Sequence, residues 1–344
     1  MLEGISADTL AGPRKLIDVP RRAAAGSLRG VSSLRPLDAW PQARAWLDEA
    51  LAAHGLTPAG SPDTLKVRPW SMVARVPVTG GTVWFKANGP GSRYEAGLLA
   101  ALGRHVPQWT IEPLAVEPEQ GWSLLPDGGA TLREAEHDPS GWERFLAAHA
   151  QLQLELLPHV TELAGLGVPC LPVAALPERL DALLADDDVW VPAADGLRDR
   201  IRAYTPSYRD ACAQLAAGRV PVSLQHDDLH DGNVLAEGTR FFDWGDAYLG
   251  HPFAVLLVTL RSARHAFSLE LQDPALRRMR DAYLEPWAPY GTPAELVAEA
   301  SLAVEVAKVA RALSWQRALV AADQDSLREW GDSVSGWLGE LLEP

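Results

Sequence analysis

The stretch LQHDDLHDGNVLAEGTRFFDWGD, residues 224–246, contains two histidines, five aspartates and one asparagine among apolar residues with strand character. Three interpretations fit this composition: a metal site built on the histidines, a solvated acidic loop, or half of an active site. The rest of the chain has to distinguish them, because each interpretation requires different residues elsewhere.

The composition is that of an acidic globular protein. The chain has 344 residues, 47% of them hydrophobic, which is enough for one large two-lobed domain or two domains. The 31 lysines and arginines against 45 aspartates and glutamates give a net charge of −14. This balance argues against a nucleic-acid or anionic-membrane partner and favours a cationic one.

The sequence lacks the marks of a secreted or membrane-spanning chain. No apolar run approaches the roughly 20 residues of a membrane span, and the N-terminus lacks the apolar core of a signal peptide. The two cysteines exclude a disulfide framework. We therefore expect a cytoplasmic protein; its oligomeric state does not follow from the sequence.

Hydrophobic periodicity predicts a small β-rich region in the first part of the chain. Residues 1–35 have no clear period and are expected to form a loose leader, whereas 37–54 have helical spacing. The runs SMVARVPV and TVWFKA, separated by Thr79-Gly80-Gly81, predict a β-hairpin. A helix is predicted over 92–105 with Ser92 as its cap, and the pieces PLAVE and GWSLLP are typical of strands.

The pattern becomes mostly helical beyond Asp127-Gly128-Gly129, and the opening stretch is the extended exception. A cleft between the two regions is a common place for a ligand. Helices are predicted near 142–157, 176–186 and 195–217, with several more after residue 252. The predicted organisation is a leader and accessory helix over 1–64, a small lobe over 65–126 and a larger α-rich lobe over 127–344.

The sequence argues against a zinc site on the two histidines. His226 and His230 are four residues apart, which on a helix would place both on one face. Gly232 and Asn233 argue against a helix here, and neither a third ligand nor the glutamate of such motifs follows. The histidines are therefore not expected to bind zinc.

Phosphoryl transfer explains the stretch better. This reaction needs a carboxylate near the attacking hydroxyl and oxygen ligands for Mg²⁺. Asp228 lies five residues before Asn233, and Glu237-Gly238 is a turn signal between two short apolar arms. If the arms pair as a hairpin, Asn233 is expected to face Asp243, which would place an amide oxygen beside a carboxylate.

These residues resemble a known family. HDDLHDGN is similar to the H-x-D-x-x-x-x-N catalytic loop of the aminoglycoside phosphotransferase and choline kinase family, and Asp243-Trp244-Gly245 is similar to its D-x-G metal-binding turn. The resemblance implies an α+β, bilobal protein-kinase-like fold, with a small antiparallel β lobe carrying one helix and a larger, mainly α lobe. It implies Asp228 as the catalytic base, Asn233 and Asp243 as Mg²⁺ ligands, and His226 as a brace for the loop. Asp227, Asp231 and Asp246 are interpreted as solvated or supporting acids.

The same resemblance implies a nucleotide site in the first lobe. A kinase-like fold needs a lysine on its third strand paired with a glutamate on the next helix, and Lys86 and Glu95 occupy such positions. Ser71 is the candidate for the phosphate-covering loop between the first two strands. Leu125 and Asp127, in the link to the second lobe, are expected to offer groups to adenine.

The function predicted from these residues is an ATP- and Mg²⁺-dependent transfer of phosphate to a hydroxyl of a small molecule. The acceptor stays open between an aminoglycoside and a metabolic sugar or amino alcohol. Asp186-Asp187-Asp188, Glu270 and Asp273 are either sites for ammonium groups or solvated helix ends, and the second interpretation is favoured.

Two other functions are weighed against this one. A protein kinase is disfavoured because Gly250-His251-Pro252 follows the metal turn within a few residues, which leaves no activation segment. A non-catalytic binding module of kinase shape is disfavoured because such modules usually lack one of the five active-site positions, and all five are present here.

Overall fold

The computed structural model describes residues 38–135 and 138–343, so the predicted leader over 1–35 lies outside the described residues. Twelve α-helices and nine β-strands are found in these ranges. The helices are α1 (Trp40–Ala53), α2 (Glu95–His105), α3 (Leu132–Ala135), α4 (Pro139–Glu155), α5 (Val160–Gly165), α6 (Leu176–Ala185), α7 (Leu197–Ala216), α8 (Leu256–Phe267), α9 (Pro274–Leu284), α10 (Pro293–Ala318), α11 (Gln324–Trp330) and α12 (Ser333–Gly339). The strands are β1 (Asp63–Val67), β2 (Ser71–Val78), β3 (Gly81–Asn88), β4 (Ala115–Glu117), β5 (Trp122–Pro126), β6 (Ser223–Gln225), β7 (Val234–Leu235), β8 (Arg240–Phe241) and β9 (Tyr248–Gly250).

The small lobe is a five-stranded antiparallel sheet in the order β1-β2-β3-β5-β4. The predicted hairpin is present: β2 and β3 pair from Ser71 with Asn88 to Val78 with Gly81. Gly80 has φ +90°, the left-handed conformation that glycine adopts without steric cost. The sheet places β3, the strand that carries Lys86, between β2 and β5.

Helix α1 covers one face of this sheet. Its apolar residues recur at helical spacing and bury Ala43, Leu47 and Leu51 in the same hydrophobic core as Phe85 of β3. The helix predicted over 37–54 is thus confirmed from residue 40 to residue 53.

Helix α2 begins later than predicted. Ser92 was expected to cap it, but the helix starts at Glu95 and Tyr94 precedes it without a side-chain cap. The Ser92 hydroxyl instead donates to the Trp70 carbonyl at 3.3 Å, because a turn at 89–92 carries the chain away from the strand before the helix starts. Several buried residues of α2, among them Leu98 and Leu102, join the core of the large lobe.

The large lobe is mainly helical, as expected. The three helices predicted between residues 142 and 217 correspond to α4, α6 and α7. Two small antiparallel sheets, β6 with β9 and β7 with β8, hold the stretch 224–246 against the helices. Trp142, Trp244 and Trp287 are fully buried, which agrees with packing as the main use of the tryptophans in this lobe.

The protein therefore has the predicted α+β, bilobal architecture of the protein-kinase-like fold. None of the helices in residues 38–135 and 138–343 has the length and apolarity required to cross a membrane.

Candidate active site

A cavity of about 300 Å³ brings together predicted residues from both lobes. Ser71 and Lys86 of the small lobe and Asp228 and Asp243 of the large lobe all line it. Residues as far apart in the chain as Ser71 and Asp243 therefore share one site.

Lys86 makes two ion pairs at the back of this cavity. Its Nζ lies 2.6 Å from Glu95 Oε2 and 2.5 Å from Asp243 Oδ1. Burial opposes the charge, but the carboxylates of Asp243 and Glu95 outweigh it and raise the pKa of Lys86 above its ordinary value. The Lys86 ammonium in turn lowers the pKa of Asp243 to about 2. We call Lys86, Glu95 and Asp243 the lysine cluster.

Hydrogen bonds from α2 and from Tyr94, the residue before that helix, hold the turn 243–245 in place. The Trp244 backbone N–H donates to Glu95 Oε1 at 2.8 Å. The Tyr94 hydroxyl lies 2.7 Å from the carbonyl oxygens of both Gly245 and Ala247. Asp243 itself has φ +64°, an uncommon conformation that aspartate tolerates better than most side chains. Tyr94 was missed by the sequence analysis, since a single tyrosine at a helix start carries no distinctive signal.

The hairpin of the stretch 224–246 is present, but its predicted register is wrong by one residue. Val234 pairs with Phe241, and the Phe242 N–H donates to the Asn233 carbonyl at 3.2 Å. Asn233 therefore faces Phe242, and Asp243 lies one position beyond the pairing. The residues of the turn at 236–239 set this register, and their conformation is not apparent from the Glu237-Gly238 signal alone.

Asn233 is tied to the loop of the candidate base. Its Nδ2 donates to the Asp228 carbonyl at 2.9 Å, which leaves its side-chain oxygen as an available ligand atom. Asn233 is buried and lies at the end of a single 3₁₀ turn over 231–233.

His226 is fully buried and lies behind the loop. Its Nε2 is 3.0 Å from the Phe242 carbonyl, and its ring packs on Trp244 at a centroid distance of 4.6 Å. Burial lowers the pKa of His226, so the ring is neutral at physiological pH. These contacts fix the backbone directly before Asp243.

A second charged cluster was missed by the sequence analysis. Arg311 of α10 is buried, and its guanidinium lies 2.9 Å from Asp228 Oδ1, 2.8 Å from Asp246 Oδ2 and 3.4 Å from Asp227 Oδ2. We call Arg311 and these three aspartates the arginine cluster. Arg311 binds Oδ1 of Asp228, and the other carboxylate oxygen lies 3.8 Å from His230 Nε2.

Asp227 is the most constrained member of the arginine cluster. It has φ +63°, and its Oδ2 accepts a hydrogen bond from Ser314 at 2.6 Å. Burial raises the pKa of Asp227 to about 6, although Arg311 and Ser314 act against the shift. A strained, buried acid at this position is typical of a functional site, where the surrounding structure enforces the conformation.

Of the three residues predicted to contact the nucleotide and not yet described, one lines the cavity and two lie in the link between the lobes. Ser71 is buried at the start of β2 and lines the cavity. Leu125 and Asp127 are not among its lining residues. Asp127 instead accepts hydrogen bonds from Gly129 N at 3.2 Å and Trp84 Nε1 at 3.4 Å, both within the link and β3.

Aromatic residues close the outer side of the cavity. Trp70, in the loop between β1 and β2, makes edge contacts with Trp315 of α10 at 5.5 Å and with Trp330 of α11 at 5.6 Å. Trp315 and Trp330 are stacked at 5.7 Å. The end of α10 also packs tightly against Gly91. A Cβ atom built on Gly91 would lie only 2.0 Å from the Arg317 carbonyl oxygen, so a larger residue does not fit there.

The sequence profile of the phosphotransferase enzyme family matches residues 60–296, more than half of the chain. The chain belongs to this family. The protein is thus a phosphotransferase that uses a hydroxyl group as acceptor, and the match spans both clusters except for Arg311. A comparison with curated protein sequences finds no significant match.

Solved structures similar to this phosphotransferase share its fold at low sequence identity. A choline/ethanolamine kinase family protein from Mesorhizobium loti is 18% identical with a TM-score of 0.55, over 87% of this chain and 95% of that one. The macrolide 2′-phosphotransferase from Brachybacterium faecium is 18% identical with a TM-score of 0.54, over 86% and 97%. A spectinomycin phosphotransferase in complex with ADP and spectinomycin is 12% identical with a TM-score of 0.52, over 87% and 94%. These likenesses concern the fold and leave the acceptor of this phosphotransferase open.

Proposed function

We propose that the protein transfers the γ-phosphate of ATP to a hydroxyl of a small molecule, with Asp228 as the base. The observation that carries the proposal is the single cavity lined by Lys86, Asp228 and Asp243. In that cavity a cation for phosphate oxygens, a carboxylate for a proton and a carboxylate for a metal lie together, which is the set of groups that phosphoryl transfer requires.

The oxygen atoms available at the site suit Mg²⁺. Asn233 uses its Nδ2 in a hydrogen bond and keeps Oδ1 free, while Asp243 uses Oδ1 for Lys86 and keeps Oδ2. Mg²⁺ prefers a few such hard oxygen ligands and takes the rest from water and phosphate. When bound, the ion would neutralise charge on the phosphates of the nucleotide.

The proton transfer follows from the position of Asp228. The free carboxylate oxygen accepts the proton of the acceptor hydroxyl while that oxygen forms its bond to the γ-phosphorus. The bond between the γ-phosphorus and the bridging oxygen breaks, and ADP leaves with the electron pair. Arg311 holds the other oxygen of Asp228, so the carboxylate keeps its orientation during the step.

Lys86 acts on the nucleotide in this proposal. Its ammonium binds phosphate oxygens, and Glu95 keeps it pointing into the cavity. Ser71 lies at the start of β2, on the same side of the cavity, where it offers a hydroxyl to the phosphates. Leu125 and Asp127 stay proposed neighbours of adenine. Asp127 is not a lining residue of the cavity that contains Lys86, and the base and the triphosphate of ATP bind at opposite ends of such a site.

Phosphate transfer to a panel of sugars, amino alcohols, hydroxy acids and aminoglycosides, measured with ATP labelled in the γ-phosphate, tests the proposal. We expect Asp228→Asn to lower transfer about 10²–10⁴-fold, the usual contribution of a general base. Its affinity for Mg²⁺ and ADP should match that of the unchanged protein, because the substitution conserves shape and lies on the acceptor side. Near-normal transfer by Asp228→Asn would remove Asp228 from the role.

A further inference from the structure

We propose that the acceptor of this phosphotransferase carries an anionic group, a carboxylate or a phosphate, and that Arg317 binds it. The inference rests on the proposed function, because it names the class of molecule whose hydroxyl approaches Asp228. The cations of the cavity that lack an ion pair, the position of Arg317 and the use of acids elsewhere each support it.

The charged side chains of the cavity are not evenly paired. All three of its acids have an ion-pair partner: Asp243 pairs with Lys86, and both Asp228 and Asp246 pair with Arg311. Three of its five cations have none among the described residues; they are Lys66, Arg68 and Arg317. Two further acids, Glu95 and Asp227, pair with Lys86 and Arg311 from outside the cavity lining, so the charges of the region balance as a whole. The positive charges without an ion pair among the described residues are those of Lys66, Arg68 and Arg317, and such charges attract anions.

Arg317 is held in place by neutral groups. Its Nη2 donates to the Asp246 carbonyl at 3.3 Å and to the Ser314 hydroxyl at 3.1 Å. Its Nε is buried and has no hydrogen-bond partner among the described residues. Asp227 lies close enough for its charge to interact with that of Arg317, but no ion pair to Arg317 is found among the described residues. A guanidinium oriented in this way can donate a charge-assisted hydrogen bond to a carboxylate or phosphate.

The position of Arg317 links it to the acceptor side of the site. Ser314, which accepts from Arg317, donates to Asp227, and Asp227 shares Arg311 with Asp228. A short chain of contacts therefore connects Arg317 to the candidate base within the large lobe. Both residues line the same cavity, so a molecule whose hydroxyl lies at Asp228 can place a neighbouring anionic group at Arg317.

The other two unpaired cations belong to the nucleotide side. Lys66 lies on β1, and Arg68 lies in the loop that leads to Ser71, so both come from the small lobe. Their positive charges are placed for the triphosphate that Lys86 also binds. Arg317 comes from α10 of the large lobe, the helix that also supplies Arg311 beside Asp228.

Three of the five acids considered for a cationic acceptor are used elsewhere. Asp186 accepts from the Asp188 N–H at 3.2 Å, and Asp187 pairs with Arg198 at 2.7 Å. Asp273 caps α9 by accepting from Ala275 N at 2.8 Å. None of these residues lines the cavity, so they are helix-end groups, as favoured in the sequence analysis, and the ammonium-binding interpretation has no support at this site.

Four molecules of equal carbon skeleton test the charge preference: glucose, glucosamine, gluconate and glucose 6-phosphate. Their affinities for the full-length protein saturated with Mg²⁺ and ADP are measured by calorimetry. We expect gluconate or glucose 6-phosphate to bind at least tenfold more tightly than glucose and glucosamine, because a charge-assisted hydrogen bond contributes about that factor or more. The stronger of the two anions identifies carboxylate or phosphate as the preferred group. Equal binding, absent binding of both anions, or a preference for glucosamine overturns the proposal.

The variant Arg317→Gln tests whether Arg317 binds the acceptor or the nucleotide. We expect this variant to lose at least tenfold in anion affinity while its affinity for Mg²⁺ and ADP changes less than twofold. Arg317→Lys keeps the charge and should recover part of the anion affinity. Arg264→Gln removes an equal charge from an exposed position on α8 and serves as the matched control. Unchanged anion binding in Arg317→Gln, or equal loss of nucleotide and anion, contradicts the assignment.

The experiments can contradict this inference without contradicting the proposed function, and the reverse is also possible. If no hydroxyl compound is phosphorylated but anions bind through Arg317, the error lies in the reaction. If glucose or glucosamine is phosphorylated better than either anion, the reaction stands and the inference falls.

Discussion

The lysine cluster and the arginine cluster each hold one cation among several carboxylates, but they connect different parts of the molecule. The lysine cluster joins the lobes, since Lys86 and Glu95 lie in residues 81–105 and Asp243 lies 157 residues beyond Lys86. The arginine cluster lies within the large lobe, where Arg311 of α10 binds three aspartates of the stretch 224–246.

In both clusters the acids differ from one another in their exposure to solvent. Each contains a nearly inaccessible acid: the side chain of Glu95 is 1% exposed and that of Asp227 is 2% exposed. The other acids are accessible, with Asp243 at 44% and Asp228 at 33%. The comparison indicates that the buried acid fixes the cation, whereas the accessible acids are the ones to which the proposed function assigns metal and substrate.

Removing the cation of the lysine cluster should have the largest effect. Lys86→Met leaves Glu95 buried without a counter-charge, so we expect the free energy of unfolding to fall by about 3–5 kcal/mol. Phosphate transfer should fall about 10²–10³-fold, because a preorganised phosphate contact is lost. Urea unfolding followed by tryptophan fluorescence and a transfer assay measure the two effects.

The double variant Lys86→Met/Glu95→Gln is the control for this prediction. It removes the stranded charge, so stability should recover while transfer stays low. Recovery of transfer in the double variant would show that Lys86 has only a structural role.

Removing the cation of the arginine cluster should cost less stability. Arg311→Gln strands one buried acid, Asp227, and we expect a loss of roughly 3 kcal/mol in unfolding free energy. Asp246→Asn removes an accessible partner of the same arginine and should cost under about 1 kcal/mol. Chemical unfolding of both variants checks the comparison, and an equal cost for the two would contradict the assigned roles of buried and accessible acids.

The smallest expected effect is a pH dependence at Asp227. Its folded-state pKa of about 6 lies above the ordinary value of 3.8, so the folded protein binds the proton more tightly than the unfolded chain. Protonated Asp227 therefore stabilises the folded state. This stabilisation is complete at pH values below 3.8 and is lost as the pH rises through the folded-state pKa of about 6. Relative to Asp227→Asn, the unchanged protein should therefore lose about 2 kcal/mol of unfolding free energy between pH 4 and pH 6.

Asp227→Asn is a suitable reference because asparagine also tolerates a positive φ. Unfolding curves at several pH values measure the difference between the two proteins. A difference that stays constant across this range would show that Asp227 keeps its ordinary pKa.

The sequence predicts the pair of Lys86 with Glu95, and Asp243 as a metal ligand, because the three residues occur in recognisable local patterns. The ion pair between Asp243 and Lys86 was not predicted. Lys86 ends an alternating apolar strand, Glu95 follows at the start of a helix, and Asp243 belongs to a short motif. The antiparallel small lobe follows from the same patterns. The hairpin register was wrong by one residue because turn geometry, rather than the apolar arms, sets the pairing.

The arginine cluster was missed because its partners lie far apart in the chain and no motif connects them. Arg311 is 83 residues from Asp228. The sequence does contain a signal, since VAKVARALSW over 306–315 places Lys308 and Arg311 in an otherwise apolar helix. Basic residues buried in such a helix need acidic partners, and the aspartates beside the catalytic loop were the available candidates.

The separation of Lys86 and Asp243 also has a consequence for synthesis. A ribosome adding about 5–20 residues per second needs roughly 8–30 s to cover those 157 residues. During this time a nascent small lobe contains Lys86 and Glu95, which form a pair by themselves, while the turn that completes the cluster is not yet made. The small lobe therefore waits for a contact from the last third of the chain, and closure of the two lobes belongs to the later part of translation.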